Sequence, residues 1–165
     1  LSFPYCVSIN SLFINEESTG NTYNTADITV TLAHELGHYL GLHHVFSETE
    51  NENSCEDTDY CADTPTYNKK AYDMDCAYIE VNDPDNFTFA NLVNRENCLT
   101  GESFVSYNIM DYAISYSDRF TPEQRARIRH VLLYSPLIPG PKAGQEAGTR
   151  SAPSGLMKLP IRTAK

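Results

Sequence analysis

Residues 5–14, running from Tyr5 through Val7, Ile9, Leu12 and Phe13 to Ile14, are rich in β-branched and aromatic side chains and predict a strand. The polar stretch 15–24, broken by Gly20, predicts a loop. A helix is expected from Thr25, a suitable N-cap, to about Leu40, with Gly41 as its stop. Residues 47–64 hold Glu48, Glu50, Glu52, Glu56, Asp57, Asp59 and Asp63 and no base, which predicts an acidic loop. Residues 65–100 mix Pro65, Pro84 and Asn-containing turns with short apolar pieces such as Ala77 to Val81, and predict irregular structure with a short strand or helix. Thr121 to Gln124 open a second helix: Thr121 is the N-cap, Pro122 sits where its missing N–H costs nothing, and Gln124 completes a capping box. Ile128, Val131, Leu132 and Ser135 share one face, and Pro136 ends it. Beyond Pro139, Gly140 and Pro141 the chain has too little apolar content to fold, which predicts a flexible tail over 141–165. No internal repeat is visible.

The length of 165 residues suits one domain. No aliphatic stretch approaches the roughly 18 apolar residues of a membrane span. No charged-then-apolar leader opens the chain, and its start at Leu1 leads to the expectation of a processed or cut chain. The net charge of −10 is uneven. The tail holds five bases and one acid, leaving −14 on residues 1–140, a poor partner for nucleic acid or anionic lipid. The five cysteines include no CxxC spacing, so disulfides are the likelier use, placing the protein in a secreted, periplasmic or cell-surface setting. Five is odd, and Cys6 is the natural candidate for the unpaired one.

The segment His34, Glu35, Leu36, Gly37, His38, Tyr39, Leu40, Gly41, Leu42, His43, His44 carries the chemistry. His34 and His38, four apart on a helix, project from one face and can share a metal. At about 100° per residue, Ile28, Leu32, Leu36, Tyr39 and Leu40 fall on the other side. The expectation is therefore a helix that buries its aliphatic face in a core and turns both histidines towards a cleft. Glu35 lies beside the pair, able to reach water without ligating. Gly41 lets the chain leave the helix sharply and bring His44 back as a third ligand. Three imidazoles with an open fourth position describe a catalytic zinc site. Only one of His43 and His44 fits the spacing, and His43 is read as lying beside the site or in solvent. Glu35 is the expected general base. Downstream, the run from Ser106 to Tyr112 holds Met110; after the extended zinc motif it resembles the Met-containing turn of the metzincins, which implies Met110 as an apolar base beneath the imidazoles, with Tyr112 reaching the site from its edge.

The extended zinc motif followed by a Met-containing turn resembles the metzincin signature. Within that group the chain resembles the pappalysin family over about Tyr5 to Leu133. Three features carry the likeness: Phe46 two residues after His44; Asp59 to Pro65 with its Asp63, Thr64, Pro65 ending; and the turn Asn108, Ile109, Met110, Asp111, Tyr112. The resemblance implies an α+β metzincin-like catalytic domain over 1–140, with a zinc-motif helix, an irregular C-terminal subdomain with Met-turn and a C-terminal helix. It implies zinc-dependent endopeptidase activity on a protein or peptide substrate, Tyr112 as oxyanion stabiliser, and calcium at Asp59 and Thr64. It also suggests a Cys55–Cys98 disulfide and, more weakly, Cys61–Cys76. The chain departs from the family in two places. Six residues past Met110, where basic-preferring members carry an acid nearby, stands Tyr116, with Asp118 two further on. Only 33 residues precede His34, room for one or two strands of a multi-stranded sheet, so the upstream sheet is expected to be largely missing. A second chain or an N-terminal segment would complete it. The rival expectation is a fragment that binds zinc and calcium without catalysis; a calcium-binding adhesion module would need no such zinc motif.

Overall fold

A computed structural model describes residues 6–7, 28–56, 59–140 and 142–144. The expected strand over 5–14, apart from Cys6 and Val7, lies outside the described residues, as do the Thr25 N-cap and most of the expected tail. The architecture is helical with one small sheet. The elements are α1 (Ile28–Tyr39), α2 (Lys69–Asn82), a short 3-10 turn (Pro84–Asn86), α3 (Phe89–Leu92), β1 (Asn94–Glu96), β2 (Ser103–Val105) and α4 (Pro122–Tyr134).

α1 ends because Gly41 adopts φ +86°, a conformation that other residues resist. Gly41 N–H donates to the His38 carbonyl at 2.9 Å and Leu42 N–H to the Gly37 carbonyl at 2.9 Å. That paired pattern satisfies the last helical carbonyls and folds the chain back under its own helix. Leu42, Val45 and Met110 then form the buried core cluster, with Phe120 and Ile128 packed against it.

The burial of α1 departs from the expectation on its aliphatic face. His34 and Gly37 are its buried residues, while Leu32 and Leu36 are each 40% exposed. The reason is packing: a Cβ on Gly37 would clash with the sulfur of Met110, so the missing side chain lets the Met-turn press against the histidine face. Among the described residues, the aliphatic face receives no comparable cover.

The region 65–100 is more regular than expected. α2 runs for 14 residues, and the piece Ala77 to Val81 lies inside it. Asn68 caps it by accepting from Ala71 N–H at 2.8 Å. The same Asn68 donates from Nδ2 to the Asn51 carbonyl at 2.8 Å, which ties the acidic loop to the helix start. α2 has no buried residue, so it shows little of the amphipathic pattern by which a helix is read from sequence. β1 and β2 pair antiparallel, with Arg95 opposite Phe104.

Cys55 and Cys98 form a disulfide that fastens the acidic loop to the end of this hairpin. Cys61 and Cys76 are not paired; both are free thiols, as is Cys6, so three cysteines are unpaired and not one. Cys61 is enclosed in the turn from Asp59 to Thr64, where its N–H donates to Asp59 Oδ1 at 2.9 Å, whereas Cys76 lies on α2 in a cavity wall shared with Tyr72 and Cys98. Burial, with Asp59 adding to it, pushes the Cys61 thiol up to about 11.

α4 begins as read. Thr121 accepts from Gln124 N–H at 3.2 Å and Gln124 Oε1 accepts from Thr121 N–H at 3.0 Å. Gln124 is buried and also exchanges two hydrogen bonds with the Asn108 side chain, at 2.9 and 3.2 Å. One side chain therefore both caps α4 and holds the Met-turn. Of the expected apolar face, Ile128 packs on the core while Leu132 stays 41% exposed. Gln124→Ala leaves the half-buried Asn108 amide without its Gln124 partner and is expected to lower the unfolding free energy by about 1 kcal/mol, measured by urea denaturation.

Candidate metal centre

Two histidines reach the site from α1 and one from the turn after Gly41. Their Nε2 atoms form a near-equilateral triangle: His34 to His38 3.1 Å, His38 to His44 3.1 Å, His34 to His44 3.3 Å. Each Nδ1 faces an acceptor. His34 Nδ1 donates to the Ile109 carbonyl at 2.8 Å, His38 Nδ1 to the Leu42 carbonyl at 3.0 Å, and His44 Nδ1 to Glu48 Oε1. A neutral imidazole has one donor and one acceptor nitrogen. With all three donors committed to Nδ1, three Nε2 lone pairs point at one another. They cannot satisfy each other; a cation satisfies all three. A metal held by three imidazole nitrogens at about 2.0–2.1 Å with tetrahedral angles places them about 3.3–3.4 Å apart, close to the triangle observed. Burial, set against the Ile109 carbonyl, holds His34 below its ordinary pKa and so favours the neutral, ligating form. Among the described residues, His34, His38 and His44 are the only group of three or more such side chains close enough to hold a metal.

The floor of the site is Met110, fully buried beneath α1. Its turn is fixed from two sides. Asn108 Oδ1 accepts from Met110 N–H at 2.9 Å and is itself held by Gln124. Asp111, the next residue, accepts from Tyr67 Oη at 2.6 Å, from Ser106 Oγ, and from Ala113 N–H at 3.1 Å. The buried Arg95 guanidinium lies 3.7 Å from Asp111 Oδ2 and stacks over the Tyr72 ring at 3.8 Å. Burial and the Asp111 carboxylate push the Tyr67 phenol well above its usual range, so it stays a donor.

Tyr112 emerges from this turn into solvent, its ring 6.0 Å from that of His34 and 5.8 Å from that of His44. Two cavities meet at it. One, of about 300 Å³, is lined by Val30, His34, Glu35, Ile109 and Ser117. The other, of about 390 Å³, is lined by His44, Phe46, Glu48, Lys69 and Asp73. Glu35 thus opens onto the same space as His34 and Tyr112.

The remaining expected residues lie elsewhere. Asp59 and Thr64 are buried together, with Thr64 Oγ1 donating to Asp59 Oδ2 at 2.7 Å. Asp118 lines neither cavity and is bound by Arg119 at 2.5 and 2.8 Å. Tyr116 stacks on Tyr107, centroids 4.8 Å apart. His43 is exposed and meets the Tyr60 ring edge-on at 5.6 Å. Gly37, Glu48, Arg95 and Gln124 as a Met-turn anchor were not anticipated. A glycine inside an otherwise helical run is a signal of close packing, and it marks Gly37. Nothing in the local sequence marks the others.

Comparison with known proteins places this geometry. Extracellular metalloproteases of Arthroderma benhamiae and Trichophyton verrucosum are each 36% identical to the chain over 99 residues. One from Arthroderma otae is 35% identical over 99 residues. These alignments cover 59% of this chain and 29% of each relative, so the chain spans only part of their length. No solved structure matches the chain significantly. The family model described as pregnancy-associated plasma protein-A matches residues 7–133, and the chain therefore belongs to the pappalysin family of metallopeptidases.

Proposed function

We propose that this chain is the catalytic part of an extracellular zinc endopeptidase, with residues 1–140 as its domain. The observation that carries the reading is the Nε2 triangle with every Nδ1 committed to an acceptor. His34, His38 and His44 would hold the zinc, and a fourth position would stay open to water and substrate. The chemistry that a bound zinc supplies is Lewis acidity, which makes water a competent nucleophile near neutral pH and polarises a peptide carbonyl.

The chain's own residues do the rest. The Glu35 carboxylate takes a proton from the attacking water as the C–O bond forms and the carbonyl electron pair moves onto oxygen; it then delivers that proton to the amide nitrogen, whose C–N bond breaks as the carbonyl re-forms. The Tyr112 phenol donates to the oxyanion as charge develops on the carbonyl oxygen. Its exposure lets it swing towards substrate without repacking the core. Met110 keeps the space beneath the imidazoles dry. Among the described residues lining the cavity beside Glu35, the other carboxylate is Asp111, which is bound by Tyr67 and Ser106, and Asp118 is bound by Arg119, which argues against a preference for basic side chains there. Calcium in the turn that encloses Asp59 and Thr64 is part of the same reading, supported by the family likeness and by the buried carboxylate. Secretion is supported by the relatives' extracellular character and the Cys55–Cys98 disulfide. No helix among the described residues is long and apolar enough to cross a membrane.

The exposed Leu32 and Leu36 favour a second reading, in which the chain binds metal but cleaves only when a further segment or a second chain covers α1. Turnover of a peptide library by the chain alone separates the two. Under the first reading, Glu35→Ala retains one zinc per chain and loses about 10²–10⁴-fold in kcat/KM; full activity in that variant would contradict it. Tyr112→Phe is expected to lower kcat about 10²-fold with KM nearly unchanged, measured on the same peptide.

A further inference from the structure

We infer that Glu48 is a positioning residue for the third imidazole, an inference that rests on the zinc reading above. The three histidines are not held alike. His34 and His38 give their Nδ1 protons to backbone carbonyls fixed by the core, those of Ile109 and Leu42. His44 has no carbonyl partner; its Nδ1 donates to the Glu48 carboxylate, four residues on. His44 also lies outside α1, beyond the Gly41 reversal, so helix geometry does not orient it as it orients the other two. Besides the other two imidazoles and Tyr112, whose ring meets it at 5.8 Å, two groups hold its ring: Phe46, stacked at 4.7 Å with an interplanar angle of 13°, and Glu48. Stacking fixes the plane of the ring but leaves open the 180° rotation about Cβ–Cγ that keeps that plane and exchanges the two ring edges. The hydrogen bond to Glu48 fixes that rotation and therefore the direction of Nε2.

Glu48 is free for this role. The other charged groups around its cavity are paired among themselves: Lys69 with Asp73, and Lys70 with Glu50 at 4.0 Å. Glu48 approaches the ring from the Nδ1 side, opposite the nitrogen triangle, so it is not a fourth ligand. A carboxylate acceptor at Nδ1 raises the basicity of Nε2 as well as orienting it, and loss of such a partner typically costs about 10–100-fold in metal affinity. The Glu48 side chain is 62% exposed, so water competes for the bond and the lower end of that range applies.

The test is zinc affinity by chelator competition, with the absorption spectrum of the cobalt-substituted protein as a report on ligand geometry. Glu48→Ala is expected to bind zinc about 10-fold more weakly, with an altered cobalt spectrum and an unchanged melting temperature of the metal-free chain. Glu48→Gln keeps an acceptor oxygen and loses the charge, so its affinity falls between the two. Glu52→Ala removes an equal charge from the same loop and leaves affinity unchanged. Wild-type affinity in Glu48→Ala, or an equal loss in Glu52→Ala, would overturn the inference. Failure of the wild-type chain itself to take up zinc would overturn the metal reading beneath it.

Discussion

Three imidazole lone pairs converging within 3.1–3.3 Å of one another are the arrangement around which the rest of this structure is organised. Without a cation, that convergence is a cluster of acceptors with no donor. It persists because each ring is turned by a hydrogen bond from its far nitrogen. Those bonds come from three places: the turn closing α1, the Met-turn, and the acidic loop. Two of those partners, Leu42 and Glu48, lie four residues from the imidazole they hold, and only the His34 bond to Ile109 spans the chain, so the site joins local turn geometry to one long-range contact.

The Met-turn is the part most heavily secured. Ile109 supplies the carbonyl for His34, Met110 fills the space that Gly37 leaves, and Tyr112 reaches the rim. Behind them, Asp111 is gripped by Tyr67, Ser106 and Arg95, and Asn108 by Gln124. A buried Arg–Asp pair stabilises little compared with an apolar pair of the same shape, yet breaking it by removing one partner costs about 3–5 kcal/mol. Its effect here is to allow the Met-turn one arrangement. Arg95 comes from β1 and Gln124 from α4, so hairpin and C-terminal helix both act on the site through this turn.

What could be read from sequence follows from how local the determining interactions are. The α1 histidine pair, the Gly41 stop and the Thr121–Gln124 capping box all depend on neighbours within a few residues, and their spacing matches their positions in the fold. The Cys55–Cys98 pairing came from family likeness and not from spacing, and the same likeness misjudged Cys61 and Cys76, whose separation is tertiary. α2 was hidden because it buries no residue; its signals were an Asn68 cap and a Lys69–Asp73 pair, both weak beside a hydrophobic stripe. The aliphatic face of α1 has the pattern of a core-facing side, yet Leu32 and Leu36 on it are exposed. Pattern shows which side of a helix is apolar, not whether anything packs against it. Glu48 and Arg95 stand in runs of other charged or polar residues, and only the folded chain distinguishes them.

The central claim is that three imidazoles hold one metal with a position left open. X-ray absorption at the zinc edge, on the chain loaded with one equivalent of zinc, tests it most directly. The account predicts a first shell of three nitrogens and one exchangeable oxygen at about 2.0–2.1 Å. A sulfur in that shell, four protein ligands, or no stoichiometric zinc would contradict it.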